Sequence, residues 1–368
     1  MKVRVLTSLE ELEQSRHSWD ELADAAGARQ FTRWSWCSPL WRHLGRGRLC
    51  VIVCEEDGLL VSLAPLHERQ LMGLRFTRFL GHGFGTVSEI LVAPGHDRAA
   101  AYVWDHLLAS PNRFVELLEY EAGRGGLAAL AMRGDALTRV RGRDRCPVIE
   151  LSGSADDYLR SRPKSLRRAL RVAEQRLAEA GTKHHTEVVT TPERLDAVLP
   201  EVVSVYDLAE QATPRQHFLA GPLAAFTREL LHRSAEEARL RLFLSRVDGV
   251  PVSFDIAFAA ECRLSVWVGR FHPGFAHVSP GHLSQRAIVQ RAGCEGLTEI
   301  DLLLGDHAYK RRWSTSEYET LEVTAAPSTM SLWAGRAILS MREMARQAPK
   351  AFRSAAAGKQ HQKGEVPA

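Results

Sequence analysis

The chain has 368 residues, 48 Lys+Arg against 44 Asp+Glu, 45% hydrophobic and 25% charged, the profile of an ordinary globular protein of about two domains. No run approaches the roughly 18 apolar residues of a membrane span, and Met1-Lys-Val-Arg-Val-Leu followed by Glu10-Glu11 is not a signal peptide. The net charge of +4 hides two basic segments, 160–176 and 336–363, each with seven basic residues and one acid; the remainder carries 34 basic against 42 acidic residues, which excludes a uniformly basic nucleic-acid coat.

Lys2–Leu6 reads as a strand, and Ser8 with Glu11 forms a capping box for the helix that follows. Phe31, Trp34, Trp36 and Trp41 recur at helical spacings, which suits a core face better than a base-stacking platform. Residues 49–54 and 59–66 are strands joined at Asp57-Gly58, a hairpin turn; residues 86–92 form a strand, 97–108 a helix and 114–118 a strand. Residues 156–180 read as one long helix ended by Gly181, with Lys164, Arg167, Arg168 and Arg171 on one face. After a strand at 185–190, on which His184 and His185 face opposite sides, come helices at 195–209 and 216–232. Strands at 240–247 and 250–258 join at Asp248-Gly249, followed by a strand at 264–269, a helix at 282–291 and a strand at 297–303. The sheet ends after Glu322. A basic amphipathic helix spans 332–348, stopped near Pro349, and 355–368 is a disordered tail.

The second half thus repeats the first. Asp57-Gly58-Leu-Leu-Val61-Ser62 matches Asp248-Gly249-Val-Pro-Val252-Ser253, and Pro94-Gly95-His96 matches Pro280-Gly281-His282 in the same order. The expected class is mixed α/β, with units at 1–151 and 183–326, a basic linking helix at 152–182 and a terminal helix and tail at 327–368. The six cysteines hold no CxxC pair, so reduced thiols in a cytoplasmic protein with no metal site are expected.

Ser279-Pro280-Gly281 can open a helix whose free amides hold an anion, or can simply start a helix. Ser279-Pro280-Gly281, Asp301, Gly305 and Tyr309-Lys310-x-x-Trp313, within the order strand, two helices, three strands, helix, strand, resemble the FemAB-like, CelD-type branch of the GNAT acyltransferases. That branch carries two GNAT-like units in tandem, and Lys164-Ser-Leu-Arg167-Arg168 resembles its basic segment before the second unit. No Q/R-x-x-G-x-G/A run precedes His282, and His272 stands where the family often has Asp.

The resemblance implies direct attack of an amine on an acyl carbonyl, with acetyl-CoA or another acyl-CoA as co-substrate and a sugar amine or glycan precursor as acceptor. An aminoacyl-tRNA donor is the alternative. It implies an oxyanion donor near Val268, Gly269 and Arg270, and phosphate held by Ser279, Gly281, His282 and Leu283. Asp301, Asp306, His307 and His272 are the candidate bases at strand ends; Tyr309 is a candidate donor to the leaving group, Lys310 a phosphate or oxyanion ligand, and Trp313 a substrate contact. Asp301 equally suits a structural carboxylate bracing the Gly305 turn. No Cys or Ser lies in a nucleophile motif. Lys164, Arg167, Arg168 and Arg171 form either a solvated face or a cradle for a phosphorylated acceptor or tRNA. The terminal helix fits docking on the body or contact with an anionic membrane, which leaves a non-catalytic scaffold as the reading of a different class.

Overall fold

Asp57-Gly58 and Asp248-Gly249 both turn through positive φ, 51° and 83° in the first and 47° and 82° in the second, as a two-residue hairpin requires. The computed structural model describes residues 1–133 and 137–347. Its first half contributes β1 (Lys2–Leu6), β2 (Arg48–Leu49), β3 (Val51–Glu56), β4 (Leu59–Ala64), β5 (Leu66–Leu71), β6 (Leu74–Phe79), β7 (Leu91–Val92), β8 (Arg113–Glu121) and β9 (Leu137–Glu150). The second contributes β10 (His184–Val189), β11 (Leu240–Val247), β12 (Val250–Ala260), β13 (Arg263–Phe271), β14 (Glu299–Asp301) and β15 (Ser316–Ala326).

These strands make a four-stranded sheet, β1-β3-β4-β7, and an eleven-stranded sheet, β10-β11-β12-β13-β14-β9-β15-β8-β6-β5-β2. The last strand of each half crosses into the other half's sheet. β9 pairs antiparallel with β14, and β15 pairs antiparallel with both β9 and β8. The repeated units therefore share one backbone hydrogen-bond ladder. They also share a core, in which Trp36 meets Phe31, Phe226 and Trp267 edge-on at 4.9, 5.3 and 5.3 Å between ring centroids, separations at which aromatic quadrupoles attract.

Several elements differ from the sequence expectation, each for a local reason. The linking helix is two helices, Ala155–Ser161 and Lys164–Glu179. Pro163 forces Arg162 to an extended φ of −69° and ψ of 157°, because the proline ring clashes with a helical residue before it. The strand expected at 297–303 is only Glu299–Asp301, and that at 86–92 is only Leu91–Val92 with an isolated bridge from Ser88 to Tyr120. The sheet does not end at Glu322 but runs to Ala326. β9 went unrecognised because most of it is exposed and charged, which erases the alternation that marks a half-buried strand. The terminal helix is Thr329–Gln347; Pro349 and the tail lie outside the described residues.

Candidate active site

β13 runs beside β14 for only three residues, Arg263–Ser265 against Glu299–Asp301. Beyond Ser265 it continues to Phe271 along β12 while the chain after Asp301 turns away. Its edge there has no strand partner among the described residues, and the gap opens into a cavity of about 460 Å³. The gap's walls are Val266–Phe271, Leu302–Leu304, the start of the helix Pro280–Cys294, and Tyr309 and Lys310; Gly85 of the first half sits at the rim. Ser253 Oγ and Gln285 Oε1 are buried at this cavity without a hydrogen-bond partner, which marks them as groups awaiting a ligand or water.

The most telling side chain is one that the sequence reading passed over. Asp255, on β12, lies directly across from Gly269 of β13 and lines the cavity. Its Oδ2 accepts a short hydrogen bond from the Ser284 hydroxyl. Burial pushes its carboxyl up to about 7, with the Ser284 bond and the Arg270 charge opposing that rise. A carboxylate so placed is half ionised near neutrality and can take a proton from a substrate. A Cβ on Gly269 would collide with Asp255 Oδ1 and press on the Phe254 carbonyl, so only glycine leaves the carboxylate its place. Gly269→Ala should therefore lower any transfer rate roughly 10- to 100-fold by displacing that carboxylate. The stability loss should be only about 1–3 kcal/mol, and steady-state kinetics beside a thermal melt would separate the two. A signal was present in the repeat. In the register of the Asp-Gly turns Asp255 corresponds to Ala64, which is buried in an apolar cluster. A carboxylate replacing a core alanine in one copy only is a mark of chemistry.

Tyr309 lies half-exposed at the mouth of the cavity, and burial together with the Asp255 charge pushes its hydroxyl up to about 12, so it stays protonated. Lys310 is buried, and its ammonium donates to the carbonyls of Leu302, Leu303 and Leu304 at 2.7, 3.2 and 2.6 Å. Burial lowers it to about 8. Leu303 has a φ of 55°, costly for a leucine, and three contacts hold it there. One is Lys310, and the second is its own N–H donated to Asp301 Oδ1 at 2.8 Å. The third is indirect: Arg29 Nε at 2.8 Å and the Tyr318 hydroxyl at 3.0 Å both donate to Asp301 Oδ2. Asp301 is thus fully buried and closed off by its partners, with Arg29 reaching it from the first half of the chain.

The other expected site residues are placed as follows. Val268, Gly269 and Arg270 line the cavity; the Arg270 guanidinium turns to Glu210 at 2.7 Å and lies over the Tyr206 ring at 5.0 Å. At the helix start, Ser279 lies in the left-handed region and makes no side-chain cap, and Pro280 has no N–H. The amides of His282 and Leu283 donate to Ser279 O at 3.0 and 3.4 Å, and a Cβ on Gly281 would meet nothing within 4 Å, so the approach to the backbone there is open. His282 lines the cavity and its Nδ1 accepts from Trp313 Nε1 at 3.3 Å; burial lowers its pKa, so it is neutral at pH 7. Trp313 itself is fully buried in the core. Asp306 is exposed and paired with Arg311 at 3.1 Å, and His272 Nδ1 accepts from Gly274 N at 3.0 Å, capping its own turn; neither lines the cavity. Lys164, Arg167, Arg168 and Arg171 are all exposed on the helix Lys164–Glu179 and stand away from the cavity walls.

Residues 164–311 match a family model described as the acetyltransferase (GNAT) domain. FemX is similar in structure at 11% identity with a TM-score of 0.64, covering 91% of this chain and 99% of that one. The C-terminal domain of a lysylphosphatidylglycerol synthetase from Agrobacterium fabrum aligns at 14% identity and 0.56, covering 89% and 95%, and L-PGS from Bacillus licheniformis at 13% and 0.53, covering 89% and 96%. No curated protein sequence matches the chain. At these identities the structural likenesses speak for the fold alone. Residues 164–311 thus match the acetyltransferase (GNAT) domain, within a fold that the chain shares with FemX along nearly its whole length.

Proposed function

We propose that this chain transfers an acyl group from an acyl-CoA to the amine of a sugar or glycan precursor, by direct attack in the cavity between β13 and β14. The placement of Asp255 carries the reading: a buried, neutral-range carboxyl facing the unpaired edge of β13. The amine nitrogen bonds to the acyl carbon, the C–S bond breaks, and the ammonium proton passes to Asp255. Tyr309, still protonated, offers its hydroxyl proton to the departing thiolate, and a backbone amide of β13 near Val268–Arg270 meets the developing oxyanion. Lys310 and Asp301 act on the reaction through the carbonyls and amide of Leu302–Leu304 whose positions they hold.

An aminoacyl-tRNA donor is the second reading, and one observation favours it. The amides of His282 and Leu283 are spent on Ser279 O, so little is left there for a pyrophosphate, whereas Lys164, Arg168 and Arg171 stand exposed with no ion-pair partner among the described residues. A thermal-shift screen with CoA, acyl-CoAs and tRNA separates the readings. An acyl-CoA at a hundred times its Kd should add about 2.7 kcal/mol of stability, whereas tRNA binding should weaken steeply with salt. If CoA compounds leave Tm unmoved and reversal of Lys164, Arg168 and Arg171 to Glu abolishes tRNA binding, the acyl-CoA reading is lost.

A further inference from the structure

A second cavity, of about 540 Å³ and sharing no lining residue with the first, lies between β6, β8, β9 and β15 and the helix Thr329–Gln347. Its character is cationic. Arg78, Arg141 and Arg143 line it already paired, to Glu116, Glu322 and Glu119. Arg139, Arg336 and Arg342 line it as well and make no ion pair among the described residues. Thr324 Oγ1, 4% exposed, lines the same space and has no hydrogen-bond partner. Three guanidiniums without an ion pair, set against one further lining carboxylate, Glu343, and joined by an unpartnered buried hydroxyl, suit a phosphate group, since guanidinium forks match its oxygens.

The helix that closes this cavity says where the phosphate comes from. Its inner side is docked: Gly335 sits so close to the Phe114 ring that a Cβ would overlap it, and Ile338, Leu332 and Leu339 pack with Phe76 and Phe114. Its outer side is apolar and uncovered. Met330, Trp333, Met341 and Met344 are 82%, 68%, 46% and 63% exposed, and at 100° per residue they fall within an arc of about 80°. A contiguous exposed row containing tryptophan and three methionines is unusual for a surface helix. On the same projection Arg336 lies about 60° beyond the Trp333 edge of that row and Arg342 about 100° beyond its Met341 edge, toward the docked side, and both line the cavity.

We propose that this face is a membrane-docking site: the Met330–Trp333–Met341–Met344 row enters the headgroup layer of an anionic bilayer, and Arg139, Arg336 and Arg342 bind a phosphodiester headgroup in the cavity. Apolar burial and headgroup charge act together there, as they do for interfacial amphipathic helices. This site lies apart from the acyl-transfer cavity, so it stands or falls independently of the donor and acceptor assigned above.

The test is flotation of the full chain with vesicles of phosphatidylglycerol and phosphatidylcholine, beside vesicles of phosphatidylcholine alone. The protein should float with the anionic vesicles and not with the neutral ones, and added salt should release it. Arg139→Gln with Arg342→Gln should weaken partitioning by more than about tenfold. Trp333→Ser, at a largely exposed position, should do so as well, and each variant's melting curve identifies any loss that comes from unfolding. Equal binding to both vesicle types, or no loss in a folded Trp333→Ser variant, would overturn the proposal. So would a protein that is stabilised by soluble pyrophosphate through Arg139 and Arg342 but ignores vesicles, because the cavity would then serve a free phosphate ligand.

Discussion

Asp255→Asn should lower the transfer rate by about 10²- to 10⁴-fold, the range that removal of a positioned general base produces, while leaving the protein at least as stable above pH 7. The two expectations have one cause. The Asp255 carboxyl is raised from 3.8 to about 7 by burial, so the folded chain holds a proton there that the unfolded chain releases near pH 4. Its contribution to stability is present at low pH and is lost as pH rises through about 7, where the charge must exist in an apolar surround. Above that pH the ionised form costs up to roughly 4 kcal/mol, a penalty the neutral amide avoids. Kinetics of the natural chain should show a rate that climbs with pH to a plateau above about 7, and Asp255→Asn should lack that limb. A variant that keeps full rate, or one that collapses at pH 8, would show that Asp255 is an architectural residue.

The second large effect falls on stability. Arg29→Met should destabilise the chain by about 3–5 kcal/mol, because it strips a buried cation bonded to two buried acids at once. Arg29 donates to Asp301 Oδ2 and to Glu121, and its guanidinium lies 4.5 Å over the Tyr318 ring. Asp301 is completely buried and Arg29 3% exposed. Without the guanidinium, Asp301 is left charged against the Tyr318 hydroxyl and the Leu303 amide alone. A fall in Tm of roughly 10 °C is expected for a chain of this size. Asp301→Asn in the Arg29→Met background should restore part of the loss, a coupling that a double-mutant cycle reads directly. Additive effects would mean that the pair does not bridge the two halves. The same cycle bears on the site, since Asp301 holds Leu303 at its positive φ and the cavity's floor moves if that hold is released.

What was legible along the chain was what near neighbours decide. The Asp-Gly hairpins, the Ser8–Glu11 capping box and the Pro280 helix start depend on φ preferences and hydrogen bonds within a few residues. The duplication was legible because both copies keep those local signals in order. The resemblance of Tyr309-Lys310-x-x-Trp313 to a family motif points to the same cavity as the geometry does, although Trp313 is buried in the core and Lys310 serves its loop. The tertiary structure alone decided the roles of the two aspartates. Both sit in apolar strands and look alike as letters: Asp301 meets a guanidinium 272 positions away, which satisfies it completely, and Asp255 meets a glycine and a serine hydroxyl at an open edge, which leave it raised and accessible. A carboxylate's chemistry is set by the charges and water around it: Asp301 receives its partners from Arg29 of the first half and Tyr318 of β15, Asp255 from β13 and the helix that follows. The opening charge balance divides the same way. Its two basic segments were countable from the sequence, but only packing showed the first as an exposed helix face and put Arg336 and Arg342 of the second at a cavity with Arg139 from β9.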